Sequence, residues 1–187
     1  IPALDSVGVV LAGDFYTKPE MDKRGGSGDV RGVWEAFARR CRWVVGVAGN
    51  HDFFGPGWSE PDLQAFKKQP NTYLLDGDTI ELDGLRFAGL SGTVGNPRRP
   101  WRRLEDDYAQ WVGLLASHGP DVLILHDGPD GPGPGFLGRS SARQALEATR
   151  PTLVVRGHAY WREPLVTLTH GGQVLNVDSR VVVLRRA

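Results

Sequence analysis

The chain has 187 residues, 40% of them hydrophobic and 24% charged, with 22 basic side chains against 22 acidic ones. That length suits one domain with a substantial core, and a formal net charge of zero excludes nucleic-acid or membrane-surface binding driven by bulk electrostatics, leaving only local patches. The single Cys41 excludes an internal disulfide, no apolar run is long enough to span a bilayer, and no signal pattern opens the chain, so a reducing cytoplasm is the expected location.

The chain begins at Ile1 without an initiator methionine, which leads us to expect that an N-terminal piece is missing. Val7 to Ala12 is a continuous apolar, β-branched run, the mark of a strand buried on both faces, and it ends at Gly13-Asp14. Lys18 to Gly28 is polar and glycine-rich and reads as an exposed loop. From Asp29, an expected N-cap, Val30, Val33, Trp34, Phe37, Ala38 and Cys41 recur at helical spacing, with Cys41 read as a small buried filler. Trp43 to Ala48 is a second buried strand, so the segment reads as a strand, helix, strand crossover with parallel pairing.

This second strand delivers Gly49-Asn50-His51-Asp52 into the loop at its end, the place where α/β sheets gather ligands. Phe53 to Trp58 is an aromatic turn that either walls a cleft or covers a loop, and Ser59 caps a short helix through Lys67. Alternation on both sides of Asp83-Gly84 signals a β-hairpin. Arg98, Arg99, Arg102 and Arg103 surround Trp101 and suit phosphate or a stacked base. The preferred reading is a solvated basic loop paired with Glu105, Asp106 and Asp107. A helical stripe from Leu104 to Leu115 ends at His118-Gly119, where the histidine has a structural role and the glycine a capping one.

Asp121 to His126 is a third buried strand ending in a histidine, and the Gly/Pro loop from Asp127 to Gly135 is placed to fold over a site. A helix starts near Ser141, with Gln144 completing a capping box. Thr152 to Arg156 is a fourth strand and ends in Gly157-His158. The tail supplies three strand-like runs, Leu165 to Thr169, Gln173 to Val177 and Arg180 to Leu184, punctuated by Gly171-Gly172 and Asp178-Ser179.

Four buried strands thus end in metal-competent side chains: Asp14, Asn50 with His51, His126 and His158. A carboxylate, an amide oxygen and imidazoles, with no thiolate, suit manganese first, with iron or zinc as alternatives. Such an ion polarises a phosphoryl oxygen and supplies a nucleophile from bound water at neutral pH. His51 then protonates the leaving oxygen, and Asp52 favours the charged imidazole.

In order and setting, Gly13-Asp14, Gly49-Asn50-His51-Asp52, His126 and Gly157-His158 make the chain resemble the calcineurin-like metallophosphoesterase superfamily. The resemblance implies an α/β fold of two mixed β-sheets packed as a sandwich flanked by helices, over residues 1–187 as a single domain. It also implies a pair of metal ions and in-line attack of a metal-bound hydroxide on a phosphomonoester or phosphodiester. Asp14 would bridge the ions, Asn50, His126 and His158 would complete the second ion's shell, and His51 would be the general acid. The family's Asp-x-His motif occurs nowhere in the chain and its natural place lies upstream of Ile1, so the first strand is expected to be missing. A second late histidine is replaced by Tyr160, which depletes the first ion's site. Purple acid phosphatases carry a tyrosine three residues after the bridging aspartate, but here Thr17 holds that place and Tyr16 falls one early, so that branch is not assigned. The expected substrate is a small-molecule or nucleotide phosphoester, with nucleic acid less favoured and no membrane partner. The alternative is a degenerate binding or regulatory module with one metal or none.

Overall fold

The computed structural model describes residues 3–16, 26–150 and 152–185. The polar loop expected from Lys18 lies outside the described residues as far as Gly25, as does Thr17. A 3₁₀ turn at Leu4–Ser6 leads into β1 (Gly8–Leu11), then β2 (Gly28–Asp29), α1 (Arg31–Ala38), β3 (Trp43–Gly46), β4 (Asp52–Phe53), α2 (Glu60–Phe66) and β5 (Thr72–Leu74). The hairpin β6 (Asp78–Leu82) and β7 (Leu85–Leu90) follows, with β8 (Thr93–Val94), β9 (Arg102–Arg103) and α3 (Glu105–Ser117). The last elements are β10 (Val122–Leu125), α4 (Ser140–Glu147), β11 (Leu153–Arg156), β12 (Leu165–Thr167) and β13 (Gln173–Asn176).

The apolar runs pair into two principal sheets. The smaller has the order β1-β3-β5 and is parallel throughout. In the larger, β12-β13-β11-β10-β7-β6, the inner strands run parallel and the outer β12 and β6 antiparallel. Alternation along each strand separates the core into layers. Val44 faces Trp34 of α1 and Phe66 of α2, whereas its neighbour Val45 faces Phe87 and Ile124 between the sheets. Leu123 and Leu125 point the other way, toward Val112 and Leu115 of α3 and Leu146 of α4. The result is a helix, sheet, sheet, helix sandwich, and each such fully buried side chain stabilises it by about 1.5–3 kcal/mol over an exposed one. No helix among the described residues is long and apolar enough to cross a membrane.

Local signals are confirmed where nothing tertiary competes. Ser59 caps α2 by accepting from the Asp62 amide, Gly119 takes a positive φ after α3, and Asp83-Gly84 turn with φ of 53° and 75°. Where tertiary partners intervene, the expectation gives way. Ser141 donates to Glu105 across to α3 instead of capping, and α4 starts at Ser140 behind Arg139. Asp29 belongs to β2, and Val30 precedes α1. Cys41 sits half-buried in the turn after α1, not in the helix core. The run from Arg180 to Leu184 forms no strand: it finds no ladder among the described residues, and Val181 is 93% exposed.

Because β1 lies parallel to β3 and β10 to β11, Asp14, Asn50, His126 and His158 all leave their strands at carboxyl ends. The two sheets are joined there by a 2.7 Å hydrogen bond between His126 Nδ1 and the Ala12 carbonyl.

Candidate metal centre

Two glycines bring the β1 and β3 loops together. Gly13 has φ +84°, and a Cβ on it would stand 2.4 Å from the Gly49 nitrogen; a Cβ on Gly49 would stand 2.0 Å from an Asp14 carboxylate oxygen. Only glycine permits that approach. Asp14 itself is left-handed at φ 58°, and this sparsely populated conformation persists because the surroundings fix it. The Phe15 and Asp14 amides donate to the Asp52 carboxylate at 3.0 and 2.8 Å, the Gly49 amide donates to it at 2.8 Å, and the His51 amide donates to Asp14 at 3.0 Å.

This geometry divides the tetrapeptide differently from the expectation at Asp52. Its carboxylate is fully buried and occupied by three backbone amides, with no bond to the His51 ring. Burial raises its pKa, with the neighbouring Asp14 charge adding to the effect against the amides. The His51 ring is half-buried and places Nδ1 3.0 Å from the Ser27 hydroxyl. Ser27 stands just before β2, which pairs with β4 in the register Gly28 to Asp52. Nothing in the sequence singled out Ser27, because the contact is set by that short ladder.

Asp14, His126 and His158 each offer a donor atom, and these lie within 4.8 Å of one another. The His126 and His158 rings meet edge to face at 4.9 Å, and His158, like Asp14, is left-handed, with φ 69°. Since a carbonyl only accepts, the contact to Ala12 fixes a proton on His126 Nδ1. Neutral His126 therefore carries its lone pair on Nε2, which faces Asp14 Oδ2 at 3.2 Å. Neither Nε2 nor the buried Asn50 Oδ1 has a hydrogen-bond donor. Burial pushes Asp14 up, but a second proton taken up at His126 Nε2 bonds to it, and that bond and the resulting His126 charge prevail and hold it at about 2. Burial pushes His126 down and Asp14 outweighs it, so its pKa is raised; partial loss of water and the His126 charge lower that of His158. Buried lone pairs with no donor, beside an ionised carboxylate, are what a cation satisfies, so the residues present fit a metal ion.

Residues outside the expected set support the centre. Asp127, next to His126, accepts from the Thr93 hydroxyl at 2.5 Å, from the Val94 amide at 3.2 Å and from Arg139 at 2.8 Å. Burial opposes its charge, but Thr93 and Arg139 hold its pKa down. Buried Trp101 donates from Nε1 to the Asp52 carbonyl at 2.8 Å. Asp127 read as one turn residue among many, and the asymmetry that marks it appears only in three dimensions. The loop it opens is internally bonded, Arg139 to Gly128 and Gly131 to Phe136. Tyr160 is 55% exposed beneath the Arg180 guanidinium, 4.8 Å from its ring centre.

One solved crystal structure has the same fold, with a TM-score of 0.61 at 13% identity over 79% of this chain. The chain spans 62% of that structure's length. No curated protein sequence matches it significantly. The model of one family, calcineurin-like phosphoesterase, matches residues 3–161, from before β1 to beyond His158, and therefore takes in every donor described above. Over that span, which is most of its length, this chain belongs to the calcineurin-like phosphoesterase family.

Proposed function

We propose that the protein is a metal-dependent phosphoesterase, acting as one domain, whose Asp14, Asn50, His126 and His158 hold a divalent ion, manganese in the first instance. The observation that carries this reading is the pair of buried, donorless atoms, Asn50 Oδ1 and His126 Nε2, next to the Asp14 carboxylate. When bound, the ion polarises the phosphoryl group and lowers the pKa of water into the neutral range. The chain's own residues do the rest. Asp52 holds the Asp14 and Gly49 loops in place, so it is a positioning residue for those loops and not the partner of the His51 ring. His51, half-buried beside Asp14 and oriented by Ser27, gives a proton to the leaving oxygen.

Leaving-group dependence tests this role. His51→Ala should lower manganese-dependent turnover of an alkyl phosphate by about 10²–10⁴-fold. It should affect p-nitrophenyl phosphate, whose phenolate leaves without a proton, far less. Equal losses on both substrates would remove His51 from the proton-transfer step. Loss of all turnover in Asn50→Ala alone would leave the metal requirement standing.

A second reading, a degenerate member that binds without hydrolysing, is favoured by Tyr160, which is turned outward beneath Arg180 where the resemblance implies another donor. Manganese uptake without turnover of any phosphomonoester or phosphodiester would select it.

A further inference from the structure

A cleft of about 600 Å³ lies between α2 and the loop from Pro97 to Arg103, with Trp58 and Trp101 in its walls. None of the metal donors lines it. The loop that walls it is fastened at both ends to residues adjoining the donors. Thr93 and Val94 bond to Asp127, next to His126, and Trp101 bonds to the carbonyl of Asp52, next to His51. The Thr93 amide on the Trp101 carbonyl and the Gly95 amide on the Arg103 carbonyl close the loop's base at 2.9 and 2.8 Å.

That fastening uses some of the loop's cations and leaves others. Arg103 is committed to Asp76 at 2.7 Å and to the Ser91 carbonyl at 2.8 Å, and Arg102 reaches the Pro100 carbonyl at 3.3 Å. Lys67 pairs with Asp78 at 3.5 Å. Arg98 and Arg99 are exposed, and their guanidinium groups have no partner among the described residues. The acids Glu105, Asp106 and Asp107, expected to neutralise the loop, make no ion pair with it. Five cationic side chains therefore line the cleft against Glu60 and Asp76, in a protein of zero net charge. Trp58 is 44% exposed and stands perpendicular to Trp101 at 88°, 5.1 Å between centres, so part of its ring is open to water. Folding requires neither feature: adjacent unpaired guanidinium groups repel each other, and an exposed indole leaves apolar area in water.

We infer that this cleft is the subsite for the leaving group of the substrate, and that the leaving group carries a planar ring and a second negatively charged group, which is the chemistry of a nucleotide. Arg98 and Arg99 take the anionic group through planar, multi-donor contacts, and the ring stacks on Trp58. The inference rests on the phosphoesterase reading for the word substrate, but the binding it requires does not depend on a metal.

Equilibrium binding of adenosine 3′,5′-bisphosphate to protein kept in chelator tests the cleft apart from the centre. Calorimetry should show saturable binding that weakens roughly tenfold or more in Arg98→Ala/Arg99→Ala and again in Trp58→Leu, in line with one stacked base or a pair of charge-assisted contacts. With manganese present, the kcat/KM ratio of the bisphosphate to p-nitrophenyl phosphate should fall in the same variants, mainly through KM. No binding, or binding that ignores all three substitutions, would overturn the inference. So would affinity that rises with oligonucleotide length and ignores Trp58, since that describes a polyanion surface. If binding responds but no ester is ever turned over, the cleft stands and the hydrolase reading falls. If turnover depends on His51 while binding ignores the cleft, the reverse holds.

Discussion

Asn50 and Asp52 lie two residues apart and are both buried, yet they have opposite relations to their surroundings. The Asp52 carboxylate has three amide donors, whereas the Asn50 amide oxygen has none. Each arrangement has a mutational signature. Asp52→Ala leaves the Asp14, Phe15 and Gly49 amides unsatisfied, and should cost about 3 kcal/mol or more, each such group being worth about 1–3. Chemical denaturation measures it, and a loss below the scatter of repeat curves would show that the amides find other partners. Asn50→Leu removes an acceptor that has no donor, so the metal-free protein should melt no lower than the wild type. Its gain on adding manganese should vanish. The wild type should gain about 2.7 kcal/mol at a metal concentration a hundredfold above Kd. Marked destabilisation of metal-free Asn50→Leu would mean that the amide oxygen is satisfied in solution.

At the scale of elements, the burial of the strands follows directly from their sequence. Continuous runs such as Val122-Leu123-Ile124-Leu125 have no polar face, and in the fold both faces are covered, by Val112 and Leu115 of α3 on one side and Val45 of the other sheet on the other. Ile124→Ala opens a cavity between the sheets and should cost about 2–5 kcal/mol without changing metal affinity. A comparable loss of metal binding would mean that the sheet interface, and not the strand ends, sets the donor geometry. Gly13→Ala should act the other way, through the β1 and β3 loops. With φ +84° and the Gly49 backbone in its path, it should abolish manganese binding at a modest cost in stability, about 1–3 kcal/mol. Unchanged metal uptake in Gly13→Ala would contradict the close approach. Helix starts were less legible, because Ser141 has a partner in Glu105 that no local pattern contains. Arg180 to Leu184 has the composition of a strand, but composition does not supply a neighbour to pair with.

Across the whole molecule, the proposed donors were legible as a set because each stands at the end of an apolar run, and a parallel sheet carries such ends to one edge. What holds the donors was not legible. The Ala12 carbonyl fixes the His126 tautomer from the other sheet, Trp101 ties the arginine loop to the Asp52 backbone, and Ser27 reaches His51 through a two-residue ladder. These are contacts between distant segments, and no spacing encodes them. They also make the centre a property of both sheets together, with β1 and β3 giving Asp14 and Asn50, and β10 and β11 giving His126 and His158. Calorimetric titration of chelator-stripped protein with manganese, beside His126→Ala, tests that arrangement most directly. The account predicts saturable binding by the wild type, and a loss of roughly a hundredfold or more in His126→Ala, since even outer-shell partners are worth 10–100-fold. No saturable uptake by the wild type, or equal uptake by the variant, would contradict it.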